Sequence, residues 1–211
     1  MDELSDYSGI ILSVSAPSGT GKTSLVNALL ARHSNIHLSV SHTTRPIRPN
    51  EEPGKHYHFV TQEEFHELIK SHSFLEHAKV FDHFYGTSVE SVLGPMKQGK
   101  DVLLDIDWQG AESAKQLFPR SAVSVFLLPP SRAVLEGRLR GRRQDTEEVI
   151  ARRISAADEE LSHSFDYDYI IVNDSFDHAL KELESILLAE RCRFHRQEAR
   201  HPDVFRDLNL V

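Results

Sequence analysis

The sequence predicts an α/β fold: a three-layer P-loop core on a parallel sheet, an inserted mixed α+β subdomain and a short arginine-rich lid. Three observations predict it. Ile10–Ser15, Val102–Ile106, Ala122–Leu128 and Tyr169–Val172 are nearly continuous in apolar residues, as strands buried on both faces of a parallel sheet are. Helical periodicity lies between and after these runs, the alternation expected of layered α/β cores. A glycine-rich stretch carrying a lysine joins the first strand to the first helix, the context of a phosphate-binding loop.

The first helix spans Lys22–Arg32, with Leu25, Ala28 and Leu29 at helical spacing. From about His37 to Leu93 the chain turns polar and aromatic, with alternation at His56-Tyr57-His58-Phe59-Val60. Thr61 and Glu64 then have the spacing of a capping box, which predicts a short helix. This stretch reads as an inserted, partly antiparallel subdomain. Arg138 to Arg153 is dense in arginine and glycine and reads as an arginine-bearing flap, with a helix starting near Asp145 or Thr146. A last helix is expected over Phe176–Gln197, with Ala179, Leu180, Leu183, Ile186 and Leu187 as its apolar positions. The division is therefore a core of 1–36, 93–137 and 154–211, an insert of 37–92 and a lid of 138–153.

The chain has 211 residues and a formal net charge of -8. That length is ample for a sizeable core, and the charge argues against a dedicated nucleic-acid binder, whose footprint is basic. One cysteine, Cys192, cannot form an internal disulfide. The apolar runs are too short to span a bilayer, and Met1–Asp6 is acidic, without a signal peptide's basic-then-apolar pattern. A cytoplasmic enzyme or binding module is expected, with no nucleic-acid or membrane partner. Composition leaves self-association to a homo-oligomer open.

The strongest motif is Ser15-Ala16-Pro17-Ser18-Gly19-Thr20-Gly21-Lys22-Thr23. Gly19 and Gly21 permit backbone angles that let several N–H groups converge on one anion, and the helix N-terminus adds partial positive charge. Lys22 is expected to reach the β- and γ-phosphates of a nucleotide, with the Thr23 hydroxyl beside Mg²⁺. Ala16 stands where the usual motif has its first glycine, a place that tolerates alanine if the strand end keeps ordinary backbone angles. By itself such a loop fits a GTPase, an ATPase or a kinase.

The insert carries Ser41-His42-Thr43-Thr44-Arg45-Pro46-Ile47-Arg48-Pro49 and Gly54-Lys55-His56-Tyr57-His58-Phe59, followed by Phe74-Leu75-Glu76, Phe84-Tyr85-Gly86-Thr87 and Leu104-Asp105-Ile106-Asp107-Trp108-Gln109-Gly110. In these motifs the chain resembles the guanylate kinase family over nearly its whole length and in family order. The Ser-Ala-Pro-Ser-Gly variant looks like a bacterial branch. The resemblance implies transfer of the γ-phosphoryl group of ATP to GMP, and to dGMP, with Mg²⁺. Chemistry supports the assignment. Two arginines three residues apart, Arg45 and Arg48, can grip a monophosphate dianion through planar forks, with hydroxyl help from Tyr57 and Tyr85. Guanine presents neighbouring N1–H and N2–H₂ donors that one carboxylate, Glu76, can accept together. A site built on such paired bonds rejects a base lacking them by a factor on the order of 10⁴. The resemblance adds Ser41 as a donor to O6, with Gly86, Thr87 and Asp105 as further contacts. Taken singly, each of these residues reads as an ordinary surface or packing side chain; their joint appearance at family spacing reverses that.

The acceptor oxygen of GMP is already anionic, so positive charge rather than a strong base is what the reaction needs. The resemblance places Arg48, Arg142 and Arg153 in that role together with Lys22, and Arg138 in support. Glu147, Glu148, Arg152 and Arg153 also fit a solvated helix laced with helical pairs. Asn173-Asp174 resembles the family's adenine-side turn, though Asp174 or Ser175 serves equally as a helix cap. With Ala16 to Thr23 these two complete the expected ATP contacts. Asp105 and Asp107 end a core strand; one holds Mg²⁺ through water and the other touches GMP, in an order the sequence does not assign. His56 and His58 share a face but lack further zinc ligands, and Arg191, Arg193, Arg196 and Arg200 are interleaved with Glu190 and Glu198, which reads as a solvated helix. The rivals are a non-catalytic protein-binding module of the same fold, and a monophosphate kinase with another base preference.

Overall fold

The computed structural model describes residues 8–49, 51–80, 82–141 and 147–210. Five parallel strands form the central sheet: β1 (Ile11–Ser15), β2 (Ile36–Leu38), β7 (Asp101–Asp105), β8 (Ala122–Leu128) and β9 (Tyr169–Val172), in the order β2-β7-β1-β8-β9. The four apolar runs are thus the inner and C-terminal strands of one sheet. For β1, β7 and β8 their continuity has the expected cause, because both faces are covered. β9 corrects the expectation: at the sheet edge only Ile171 is buried, while Ile170 and Val172 are exposed. On one face Ile10, Leu12 and Val14 pack with Leu25 and Leu29 of α1 (Lys22–Arg32) and with Leu180, Leu183 and Leu187 of α7 (Phe176–Arg191). On the other, Ile11, Val102 and Leu104 meet Val92 and Met96 of α3 (Val89–Lys97) and Ala111 and Ala114 of α4 (Trp108–Leu117). The three layers are complete.

The insert leaves β2 and builds its own four-stranded sheet before α3 returns the chain to β7. Its strands are β3 (His42–Thr43), β4 (His58–Phe59), β5 (Phe74–Val80) and β6 (His83–Ser88), in the order β4-β3-β6-β5. β6 is antiparallel to both neighbours, whereas β3 and β4 run parallel. The α2 helix (Gln62–Lys70) begins on the expected capping box: the Glu64 N–H donates to Thr61 Oγ1 at 3.1 Å and the Thr61 N–H to Glu64 Oε2 at 2.7 Å. Phe65 of α2 is fully buried against Phe74 and Phe84, ring centroids 4.6 and 5.5 Å away. Gly86 lies against the same cluster, where a Cβ would fall 3.0 Å from the Phe74 ring. A side chain there would press the Phe74 and Phe65 rings apart by a few tenths of an ångström, which favours glycine.

The arginine-rich stretch is largely helical where it is described. Arg138 and Arg140 lie in α5 (Arg132–Gly141), and α6 (Glu147–Ser162) carries Arg152 and Arg153. Leu135 and Leu139 of α5 pack on Ile150, Ile154 and Ala157 of α6. The expected helix start at Asp145 or Thr146 lies outside the described residues.

Two expectations at the C-terminus are corrected. The helix predicted to reach Gln197 stops at Arg191, Arg193 is extended, and separate helices α8 (Phe194–Arg200) and α9 (Pro202–Asp207) follow. Of the four arginines there only Arg193 is solvent-exposed; Arg191, Arg196 and Arg200 are drawn into ion pairs. Arg196 and Glu190 are each 2% exposed and ion-paired, and Arg196 also donates to the Arg120 carbonyl at 3.1 Å. Asp101, with no exposed surface, accepts from Arg191 Nε and Arg200 Nη2 at 2.7 and 3.0 Å. The break is what turns Arg196 back onto Glu190, because six residues along a continuous helix point well away from the starting side chain. Among the described residues no helix is long and apolar enough to cross a membrane.

Candidate active site

The loop between β1 and α1 has the shape its glycines imply. Gly19 and Gly21 have φ of 96° and 101°, left-handed values that favour glycine. Ala16 is not among the residues with positive φ, so the missing first glycine costs no strain there. The loop is braced from behind. The Thr20 carbonyl accepts the Asn173 side-chain amide at 2.7 Å and Arg138 Nη1 at 3.2 Å. A Cβ on Gly21 would lie 2.7 Å from that same Asn173 nitrogen. Lys22 Nζ stands 2.5 Å from Asp105 Oδ1 and donates to the Ile106 carbonyl at 3.4 Å. Burial pulls its pKa down, but Asp105 outweighs this and the net shift is upward. The ammonium is therefore charged. Thr23, one residue on, is exposed.

Across from the loop, the insert contributes Glu76 on β5. Glu76 Oε1 accepts the Thr87 N–H at 3.0 Å, and the Ser41 and Thr87 hydroxyls are 3.3 Å apart. Desolvation, with Asp107 nearby, raises the Glu76 carboxyl to about 7 despite the Thr87 bonds. Tyr57 and Tyr85 meet edge to face at 6.0 Å. Asp107 caps α4, its Oδ1 accepting the Gly110 N–H at 2.9 Å. Asp105 and Asp107 therefore differ: one faces the loop lysine, the other ends a helix.

Both halves line one cleft of about 380 Å³. Ala16, Pro17, Ser18, Gly19, Gly21, Lys22 and Thr23 form one wall; Ser41, Tyr57, Glu76 and Tyr85 form the other; Asp105, Ile106 and Asp107 make the floor. Some predicted residues lie off the cleft wall. Thr20 and Thr87 are fully buried behind it, and Gly86 is buried in the sheet beside Thr87. Asn173 braces the loop, and Asp174 Oδ1 accepts the Ser175 N–H at 2.6 Å at the entry to α7. Arg45 lies behind Tyr57, its guanidinium carbon 4.9 Å from the ring centroid. Arg48 is exposed in the following loop, and Arg153 sits half-buried on α6. Arg142 is outside the described residues. Sequence reasoning missed Glu160, which lines the cleft from α6 and whose carboxyl burial raises to about 7. It stands two turns after Arg153, on the same helix face, and that spacing was the available signal. Among the described residues, the cleft is thus lined by four carboxyls, Glu76, Asp105, Asp107 and Glu160, against one ammonium, Lys22.

A phosphate loop on the β1–α1 turn, facing a second polar pocket at the C-terminal edge of a parallel sheet, defines a P-loop nucleotide-binding α/β protein with two substrate sites. The guanylate kinase family profile matches residues 9–190. The chain is 53% identical over 195 residues to the guanylate kinase of Escherichia coli K12, covering 92% of this chain and 94% of that one. It is 49% identical over 200 residues to that of Pseudoalteromonas translucida, covering 95% and 97%. Among solved structures, the crystal structure of guanylate kinase from Anaplasma phagocytophilum superposes with a TM-score of 0.76 at 35% identity, covering 94% of this chain and 97% of the other. The chain belongs to the guanylate kinase family.

Proposed function

We propose that this protein moves the γ-phosphoryl group of ATP onto GMP, and onto dGMP, giving ADP and GDP. One observation carries the reading: a single cleft joins the Lys22 loop to a pocket whose carboxylate, Glu76, is desolvated and backed by Thr87 and Ser41. The core holds ATP, the insert of 37–92 holds the acceptor, and 138–153 is the lid. Ala16 to Thr23 wrap the ATP phosphates, with Asn173 and Asp174 on the adenine side. Glu76 accepts the guanine N1–H and N2–H₂ while Ser41 donates to O6. Arg45, Arg48, Tyr57 and Tyr85 grip the acceptor phosphate. No side chain need remove a proton, since the attacking oxygen is already anionic; alignment and charge neutralisation carry the rate.

The excess of carboxyls on the cleft wall makes the source of positive charge a pointed question. Lys22, Arg48, Arg142 and Arg153 are the cationic side chains assigned to the transferring group. Mg²⁺ fits the same site. Among the described residues no cluster of three or more His, Cys, Asp or Glu is arranged to hold a metal, whereas Mg²⁺ prefers one or two protein oxygens, waters and substrate phosphates to an all-protein cage. The exposed Thr23 hydroxyl would be its protein ligand, with Asp105 or Asp107 acting through water. Bound there with ATP, the ion would supply positive charge to the nucleotide's phosphates.

ADP formation followed with GMP, dGMP, AMP, UMP and CMP tests the reading. Turnover is expected with the two guanine nucleotides alone. Preference for AMP would overturn the role of Glu76, and silence with every acceptor would favour a non-catalytic binding module.

A further inference from the structure

Arg45 is 7% exposed, yet its guanidinium is only partly engaged. Nη1 donates to Glu51 Oε2 at 2.7 Å and Nη2 to Glu51 Oε1 at 2.5 Å, a two-pronged pair along the end of the fork. The other Nη1 hydrogen goes to the Pro46 carbonyl at 3.0 Å. A guanidinium has five N–H donors, so two remain: Nε–H and the outer Nη2–H. These two are parallel and form the fork's side edge, which suits two oxygens of a phosphate. Neither has a partner among the described residues. Tyr57 and Phe59 hold the plane, their ring centroids 4.9 and 5.5 Å from the guanidinium carbon. Glu51 reaches Arg48 as well. Its Oε2 accepts the Arg48 N–H at 2.9 Å, and its own N–H donates to the Arg48 carbonyl at 3.1 Å. One carboxylate thus ties together the two arginines assigned to the acceptor phosphate.

We infer that Glu51 is a positioning residue for GMP: it takes the end of the Arg45 fork, leaves the side edge for the phosphate, and fixes the backbone from which Arg48 reaches. The inference rests on reading Arg45 and Arg48 as the phosphate grip. The opposite role, a carboxylate that mimics the phosphate and must be displaced, predicts the opposite sign. A competitor takes the donors that its rival needs, and here Nε–H and the outer Nη2–H have no partner among the described residues. The Arg45 hydrogen bonds also hold the Glu51 carboxyl down at about 2, so it stays ionised and in place across any working pH.

Steady-state kinetics on the whole chain separate the cases. In Glu51→Gln, which keeps the shape and loses the charged pair, KM for GMP rises roughly 10- to 100-fold, the scale of a misaligned substrate clamp. KM for ATP stays unchanged, and kcat falls less than KM rises. Glu51→Asp keeps the charge on a shorter arm and gives a smaller rise in the same constant; it carries the test alone should Glu51→Gln fail to fold. Adding Glu51→Gln to Arg45→Ala raises KM for GMP by a smaller factor than Glu51→Gln does in the wild type. The part of its effect that runs through Arg45 is already lost, and only the part through the Arg48 backbone remains. An unchanged or lowered KM for GMP in the Glu51 variants, with Arg45→Ala impaired, overturns the positioning role and leaves the arginine grip standing. An unimpaired Arg45→Ala overturns the grip itself.

Discussion

Glu76 shows how much one side chain can be asked to do. Its carboxyl is raised to about 7 chiefly because the cleft desolvates it, with Asp107 adding repulsion. Only the ionised form accepts both guanine donors, so GMP binding should weaken as pH falls below about 7, while ATP binding follows its own course. The stability sign follows from the same shift. The native pKa lies above the ordinary value of 4.5, so the native state keeps a proton that the unfolded chain has lost. This group's contribution is fullest below pH 4.5 and is lost as pH rises through about 7. In Glu76→Gln the GMP KM is expected to be high and level with pH, and the ligand-free protein to melt higher than the parent under mildly alkaline conditions. A wild-type GMP KM that does not move with pH would remove the basis for this account. Glu160 titrates in the same range, which is why the Glu76 variant, and not the wild-type profile alone, decides it.

At the scale of elements, the join between α7 and α8 carries a cost that can be measured. Arg196 is enclosed with Glu190 and the Arg120 and Ser121 carbonyls at the N-terminal edge of the sheet, opposite the cleft. Arg196→Ala removes the buried one of two arginines paired with Glu190 and leaves Arg193 and the Tyr169 hydroxyl in place. The loss is therefore expected to fall below the ~3–5 kcal/mol of a wholly uncompensated buried charge. A melting temperature lower by several degrees with kcat retained is the expected result; loss of activity without loss of stability would contradict the structural role. This region also marks where sequence reading ran out. Strands such as Ala122–Leu128 were legible because burial on both faces demands an unbroken apolar run, and the α2 start because a capping box is local chemistry. The stop at Arg191 was not legible, since the alternation of Arg and Glu beyond it continues a helical period whether or not the chain does. Its cause lies far away in sequence, in carbonyls near β8 and in Asp101. Glu51 escaped notice for a related reason: an acid in a proline-rich loop looks solvated until its arginine is seen folded onto it. The loop was readable because its motif is contiguous, and the residues that share a cleft with it could be named from short motifs along 41–87, whereas the Lys22–Asp105 pair depends on neighbouring strands β1 and β7.

In the molecule as a whole, donor and acceptor walls belong to different sheets and meet over Asp105, Ile106 and Asp107. The two half-sites should therefore fail separately. Lys22→Met is expected to abolish turnover while calorimetry still detects GMP binding near the wild-type level; an equal loss of both would mean that the walls are not independent. The route of the chain has a longer consequence. β2 and β7 are adjacent strands, and everything between Ser39 and Ser88 interrupts what is otherwise one ordinary crossover through α3. The residues proposed for the acceptor side, Asp105 and Asp107 excepted, are thus encoded in one uninterrupted cassette set between parts of the core. A transplanted stretch is therefore expected to change acceptor choice only where it still closes over Asp105 and Asp107, which the core supplies.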